Sequence, residues 1–74
     1  MERVEQAKTK YTQRIIDIVF EKGCVKRETI IFILSEELQE PPEKIRDGVK
    51  GALKRLVRAG VVERRGRGYY CRSS

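Results

Sequence analysis

Apolar residues in the first twenty positions recur at steps of three and four. Val4, Ala7, Tyr11, Ile15, Ile18 and Val19 form one stripe, which Ile16 and Phe20 widen. This spacing predicts a helix over 3–22, with Lys22 in its last turn and Gly23 as its stop. "CVKR" (24–27) is short and reads as a strand. In "ETIIFILSEELQE", Ile30, Ile31, Leu34 and Leu38 fit a helical face. The run 30–34 also suits a buried strand, but "SEELQE" extends the element beyond strand length, so a helix from about Glu28 to Gln39 is favoured. Phe32 and Ile33 fall partly off its core face. That surplus apolar surface calls for a cover, either a partner subunit or the N-terminal helix.

"PP" at 41–42 ends the second helix, and Pro42 suits the first turn of a third, with Glu43 well placed at its N-terminus. Ile45, Val49, Ala52, Leu53, Leu56 and Val57 line one side of this helix. At 100° per residue the opposite side collects Asp47, Lys50, Gly51, Lys54 and Arg58, with Arg46 and Arg55 on the flanks. After Gly60 the period changes to alternation. "VVERR" and "YYCR" read as two strands, joined by "GRG" as a tight hairpin. The fold class expected is α+β in a single domain, residues 1–74.

Charge sharpens this outline. The net charge is +6, unevenly spread. Residues 1–40 carry seven Lys/Arg against eight Asp/Glu, a net −1, whereas residues 41–74 carry ten against three, a net +7. A basic surplus confined to one half of a chain points to a polyanionic partner, most often nucleic acid. Charged residues make up 38% of the chain, and asparagine, histidine and tryptophan are absent. High charge with few thermolabile amides is a thermophile tendency. The N-terminus "MERVEQAKTK" is polar and no apolar run approaches the ~20 residues of a membrane span. A soluble, cytoplasmic protein that associates with nucleic acid is therefore expected.

The stretch "VKGALKRLVRAGVVERRGRGYY" (49–70) resembles the third helix and wing of the winged helix-turn-helix superfamily. The residues that carry the likeness are Val49, Leu53, Leu56, Gly60, Val61, Val62, the basic tip Arg64–Gly68, and Tyr69. The rest of the chain agrees in element order, and its size is similar to that of small regulators of archaea and their viruses. The resemblance implies three helices, a short strand and a C-terminal β-hairpin wing. It also implies double-stranded DNA binding, with the third helix in the major groove and the wing on the minor groove or backbone. Arg46 is then the best placed for a bidentate guanine contact, with Lys50 and Lys54 one turn apart on the outer face. Arg58 continues that face. Gly48 and Gly51 each cost the helix up to ~1 kcal/mol relative to alanine. Gly51 either lets DNA approach the backbone or avoids a clash with a neighbouring helix. Asp47 repels phosphate unless it accepts from a cytosine amine or pairs with Lys50 or Lys44.

Arg64, Arg65 and Arg67 suit phosphates and the narrow minor groove. Lys26, Arg27 and Thr29, near the start of the second helix, add phosphate contacts. Tyr69 and Tyr70 alternate, and Tyr69 is assigned to the core. The family places about seven residues between the second helix's last apolar position and that of Val49, but here Leu38 to Val49 is eleven. Either the turn is longer or the third helix begins a turn early.

The same fold pairs the short strand with the wing, which brings Cys24 near Cys71. A bridge between them is one reading; two buried free thiols is the favoured one, since intracellular disulfides are unusual outside hyperthermophiles. Two cysteines without histidine make neither a zinc site nor a cysteine–histidine catalyst. "GRG" is too short for a phosphate loop. No enzyme activity, cofactor, metal or small-molecule ligand is expected. The sequence-based function is that of a sequence-specific transcriptional regulator, a homodimer through its N-terminal helix. The alternatives are a protein-interaction adaptor and a small RNA-binding or ribosome-associated domain.

Overall fold

Six elements follow one another along the chain: α1 (Glu2–Lys22), β1 (Cys24–Lys26), α2 (Arg27–Leu38), α3 (Pro42–Arg58), β2 (Val62–Arg65) and β3 (Tyr69–Arg72). The computed structural model describes the backbone of residues 2–73 and the side chains of residues 11–73. The strands form one antiparallel sheet in the order β1-β3-β2. The architecture is α+β, three helices with a small three-stranded sheet.

The apolar stripes of the helices converge on one core. Ile15, Ile18 and Val19 of α1 meet Ile30, Ile31 and Leu34 of α2 and Ile45, Val49, Ala52, Leu53 and Leu56 of α3. Val25, Val62 and Tyr70 close it from the sheet. Burying side chains of this size contributes roughly 1.5–3 kcal/mol each. Tyr11, Ile16, Ile33 and Val57 pack at its edge. Phe20, expected to widen the α1 stripe, is 42% exposed, and Leu38 of the expected α2 core face is 36% exposed. Leu38 is the last residue of α2, where the chain already turns away through Gln39 in the left-handed region (φ 55°). Phe32 is 60% exposed, so α1 does not cover it. Val4 and Ala7, which open the α1 stripe, lie outside the described side chains, as do the first turns of the helix expected to pair two subunits.

Only three residues separate α2 from α3. The eleven-residue spacing from Leu38 to Val49 is thus filled by this short turn and by the first two turns of α3, which begins at Pro42. Along α3, Gly48 has a packing cause. A Cβ at this position would lie 2.7 Å from Tyr11 Cε2. Gly48→Ala is expected to lose stability by about 1 kcal/mol, because overpacking outweighs the gain in helix propensity. A thermal melt checks this, and a higher melting temperature would mean that Tyr11 moves aside freely.

Between β2 and β3, Gly66 (φ 64°) and Gly68 (φ 72°) supply the left-handed backbone of the turn, a conformation that costs other residues about 1 kcal/mol or more. The hairpin is tied down at its tip, where Arg27 N–H donates to Gly68 O at 2.7 Å. At its base, Arg72 N–H donates to Gly23 O at 2.9 Å. Cys24 sits directly opposite Cys71 in the β1–β3 ladder, with Cα atoms 4.0 Å apart, and the two form a disulfide. This corrects the expectation of two buried free thiols: Cys71 is buried, Cys24 is exposed, and antiparallel pairing brings their sulfurs together.

Arg14 joins α1 to α2. Its Nε donates to Glu37 Oε1 at 3.0 Å, a second N–H reaches Glu37 Oε2, and the same guanidinium pairs with Asp17 at 3.2 Å. The Arg14 hydrogen bond holds the Glu37 carboxyl below its ordinary pKa. A folded-state pKa lower than the unfolded value stabilises the fold above the unfolded pKa of about 4.3, and this is lost as pH falls through the folded value. The pair is about two-fifths exposed, so water screens it to about 0.5 kcal/mol. Glu37→Gln is thus expected to melt a few degrees below the parent near neutral pH, with the difference vanishing toward pH 3. A gap that persists in acid would argue against the ion pair.

Candidate nucleic-acid interface

The outer face of α3 and the inner face of the hairpin enclose an open groove of about 700 Å³. Helical periodicity supplies one wall. Asp47, the adjacent pair Lys50 and Gly51, Lys54 and Arg58 recur on successive turns along α3, opposite the buried stripe. The sheet supplies the other wall. Arg64 lies across from Tyr70, which lies across from Val25, so this row shares the inner face of the sheet. Arg64 lines the groove, with Tyr70 and Val57 as its apolar part. Arg27, the first residue of α2, completes it. Five cations and one carboxylate thus face a single concavity.

Arg27 Nε is buried and has no hydrogen-bond partner among the described residues. A buried guanidinium N–H without an acceptor is costly, by about 1–3 kcal/mol, and an anionic oxygen in the groove is the kind of group that satisfies it.

The residues singled out from sequence do not all come together. Lys50, Gly51, Lys54, Arg58, Arg64 and Arg27 line the groove. Arg46 does not: it bonds to Glu28 Oε2 at 3.0 Å and ties α3 to α2. The three arginines of the hairpin are divided by the two-residue period of a strand. Arg64 faces the groove, whereas Arg65 belongs to the outer row with Tyr69 and Lys26 and bonds to Glu63 at 3.3 Å. Arg67 is exposed in the turn between the two glycines. Lys26 Nζ stands 5.6 Å over the Tyr69 ring, within cation–π range. Thr29 is half-buried and does not line the groove. Tyr69 is 43% exposed and Tyr70 is buried, the reverse of the core assignment made from sequence. The part Tyr70 and Val57 play in the groove has no signal in the sequence. Alternation shows that one tyrosine is inside, but not which.

Gly51 is distinguished from Gly48. A Cβ at Gly51 would meet nothing within 4 Å, which removes the explanation that the residue avoids a neighbouring helix. Asp47 is exposed and, among the described residues, carries no ion pair. Among the described residues no group of three or more His, Cys, Asp or Glu is placed to hold a metal, and no helix is long and apolar enough to cross a membrane.

Compared with known protein families, curated proteins and solved structures, the chain shows no match.

Proposed function

We propose that this chain is a winged-helix protein that binds double-stranded DNA in a sequence-specific way and serves as a transcriptional regulator. The observation that carries this reading is the convergence of Arg27, Lys50, Lys54, Arg58 and Arg64 on one groove between a helix and a hairpin. The element order and the β1-β3-β2 sheet suit that layout. In this reading α3 enters the major groove of a B-form duplex, and the hairpin is the wing, lying over the adjacent backbone and minor groove. The phosphate chain between the two grooves passes through the concavity, where its oxygens meet the five cations. Helix entry favours DNA over duplex RNA, whose A-form major groove is too deep and narrow for a helix.

Binding to duplex DNA, duplex RNA and single strands, each measured over a range of salt concentrations, tests the proposal. Affinity for duplex DNA that falls steeply with salt, with weaker binding to the other two, is expected. Equal or stronger binding to RNA favours a ribosome-associated role, and no salt-sensitive binding to any of them favours an adaptor.

A homodimer is part of the same proposal, on the strength of Phe32 and Phe20, large apolar side chains left in solvent. Sedimentation at high protein concentration checks it. A monomer that stays monomeric rules out self-association.

A further inference from the structure

Two features on one turn of α3 cost the free protein or its complex something and gain nothing within the fold. Gly51 sits in the interior of a seventeen-residue helix, where glycine is about 1 kcal/mol less favourable than alanine. No neighbour requires the missing side chain, since the space beyond its Cα is open. One turn before it, Asp47 places a carboxylate on the same groove wall as Lys50 and Lys54, yet no described ion pair holds it. An unpaired carboxylate on a surface that receives a polyanion repels phosphate and weakens binding to every sequence alike. Both features become favourable with one kind of neighbour, a base edge that carries an amino group and presses close to the helix.

We infer that Asp47 and Gly51 form a base-reading step: the Asp47 carboxylate accepts a hydrogen bond from the N4 amino group of a cytosine, and bare backbone at Gly51 lets that base pair approach the helix. The inference rests on the DNA-binding reading and adds to it the identity of one base. In the major groove cytosine presents a donor where guanine presents only acceptors, so a carboxylate separates C·G from G·C by the sign of the interaction. Adenine also offers an amino group, but its neighbouring N7 acceptor faces the same carboxylate unfavourably, whereas no ring acceptor of cytosine faces the major groove. The step therefore selects cytosine. The flanking lysines fit the guanine acceptors of neighbouring pairs or the phosphates beside them. Asp47 acts here by rejecting wrong bases as much as by attracting the right one.

Three variants test this: Asp47→Ala, Asp47→Asn and Gly51→Ala. The readouts are thermal melting, affinity for a random-sequence duplex, and the motif enriched from a randomised duplex pool. The parent is expected to enrich a motif with a fixed C·G pair. Asp47→Ala should lose that preference roughly tenfold while binding the random duplex as tightly as the parent or more so, since a like charge is gone. Asp47→Asn, whose amide offers donors as well as an acceptor, should shift the preference toward adenine. Gly51→Ala should melt about 4–8 °C higher and bind the selected duplex roughly tenfold more weakly, so stability and affinity move in opposite directions.

The same C·G preference in parent and Asp47→Ala overturns the inference. So does unchanged affinity in Gly51→Ala, or a lower melting temperature there, which would show an internal need for glycine. Duplex binding by the parent without any base preference also overturns it and leaves the DNA-binding reading standing. A parent that binds no duplex defeats both.

Discussion

Replacing both cysteines of the Cys24–Cys71 bridge with serine is expected to lower the melting temperature by roughly 15–30 °C. The bridge joins residues 47 apart in sequence. Closing a loop of that length removes about 4 kcal/mol of chain entropy from the unfolded state. For a domain of this size, total stability is on the order of 5 kcal/mol, so the bridge supplies a large share of it. Exposed Cys24 gives reductant access, and a melt with and without a dithiol should show the same fall. Mass measurement provides the matching covalent check, a gain of two hydrogen atoms as the dithiol is oxidised and the bridge reduced to two thiols. A change of only a few degrees would mean that strand pairing, and not the crosslink, fixes β1 on β3.

The second large effect concerns the groove. Replacing Lys50, Lys54, Arg58 and Arg64 together with alanine is expected to flatten the dependence of log affinity on log salt by between three and four, at about 0.9 for each phosphate no longer neutralised. At ~0.1 M salt that corresponds to a fall on the order of a thousandfold in affinity for duplex DNA. A matched variant with Lys22, Lys44, Arg55 and Arg72 neutralised, none of which lines the groove, separates geometry from overall charge. If both variants bind more weakly in proportion to the charge removed, the attraction is a property of the whole surface and the groove is not the site.

Much of this arrangement is legible in the sequence. The α3 pattern is the clearest, because seventeen residues give nearly five turns in which an apolar stripe and a charged stripe must separate. The same pattern places Lys50, Lys54 and Arg58 together on the face that lines the groove. What the sequence leaves open is phase and long-range pairing. Two adjacent tyrosines on a strand must point opposite ways, but which is inside depends on the register of β3 against β1, a strand of three residues. That register makes Tyr70 the neighbour of Val25 and leaves Tyr69 under Lys26. Arg64 and Arg65 are separated by the same alternation. Arg46 escapes the sequence reading for another reason. Its position on the flank of α3 is right, but its partner, Glu28, is eighteen residues away on another helix, beyond the reach of any local pattern. The disulfide is the extreme case, since nothing local joins positions 24 and 71.

The crosslink also divides the chain topologically. Residues 24–71 form a covalent ring that holds α2, α3 and the hairpin, while α1 lies outside it. A single peptide-bond cut anywhere inside the ring, in the turn at 39–41 or in the hairpin at 66–68, leaves its two pieces joined. A protease nick there frees no fragment until the bridge is reduced, while a cut at Gly23 severs α1 outright. The groove, built wholly from ring residues, is thus carried by the part of the molecule that one cut cannot take apart.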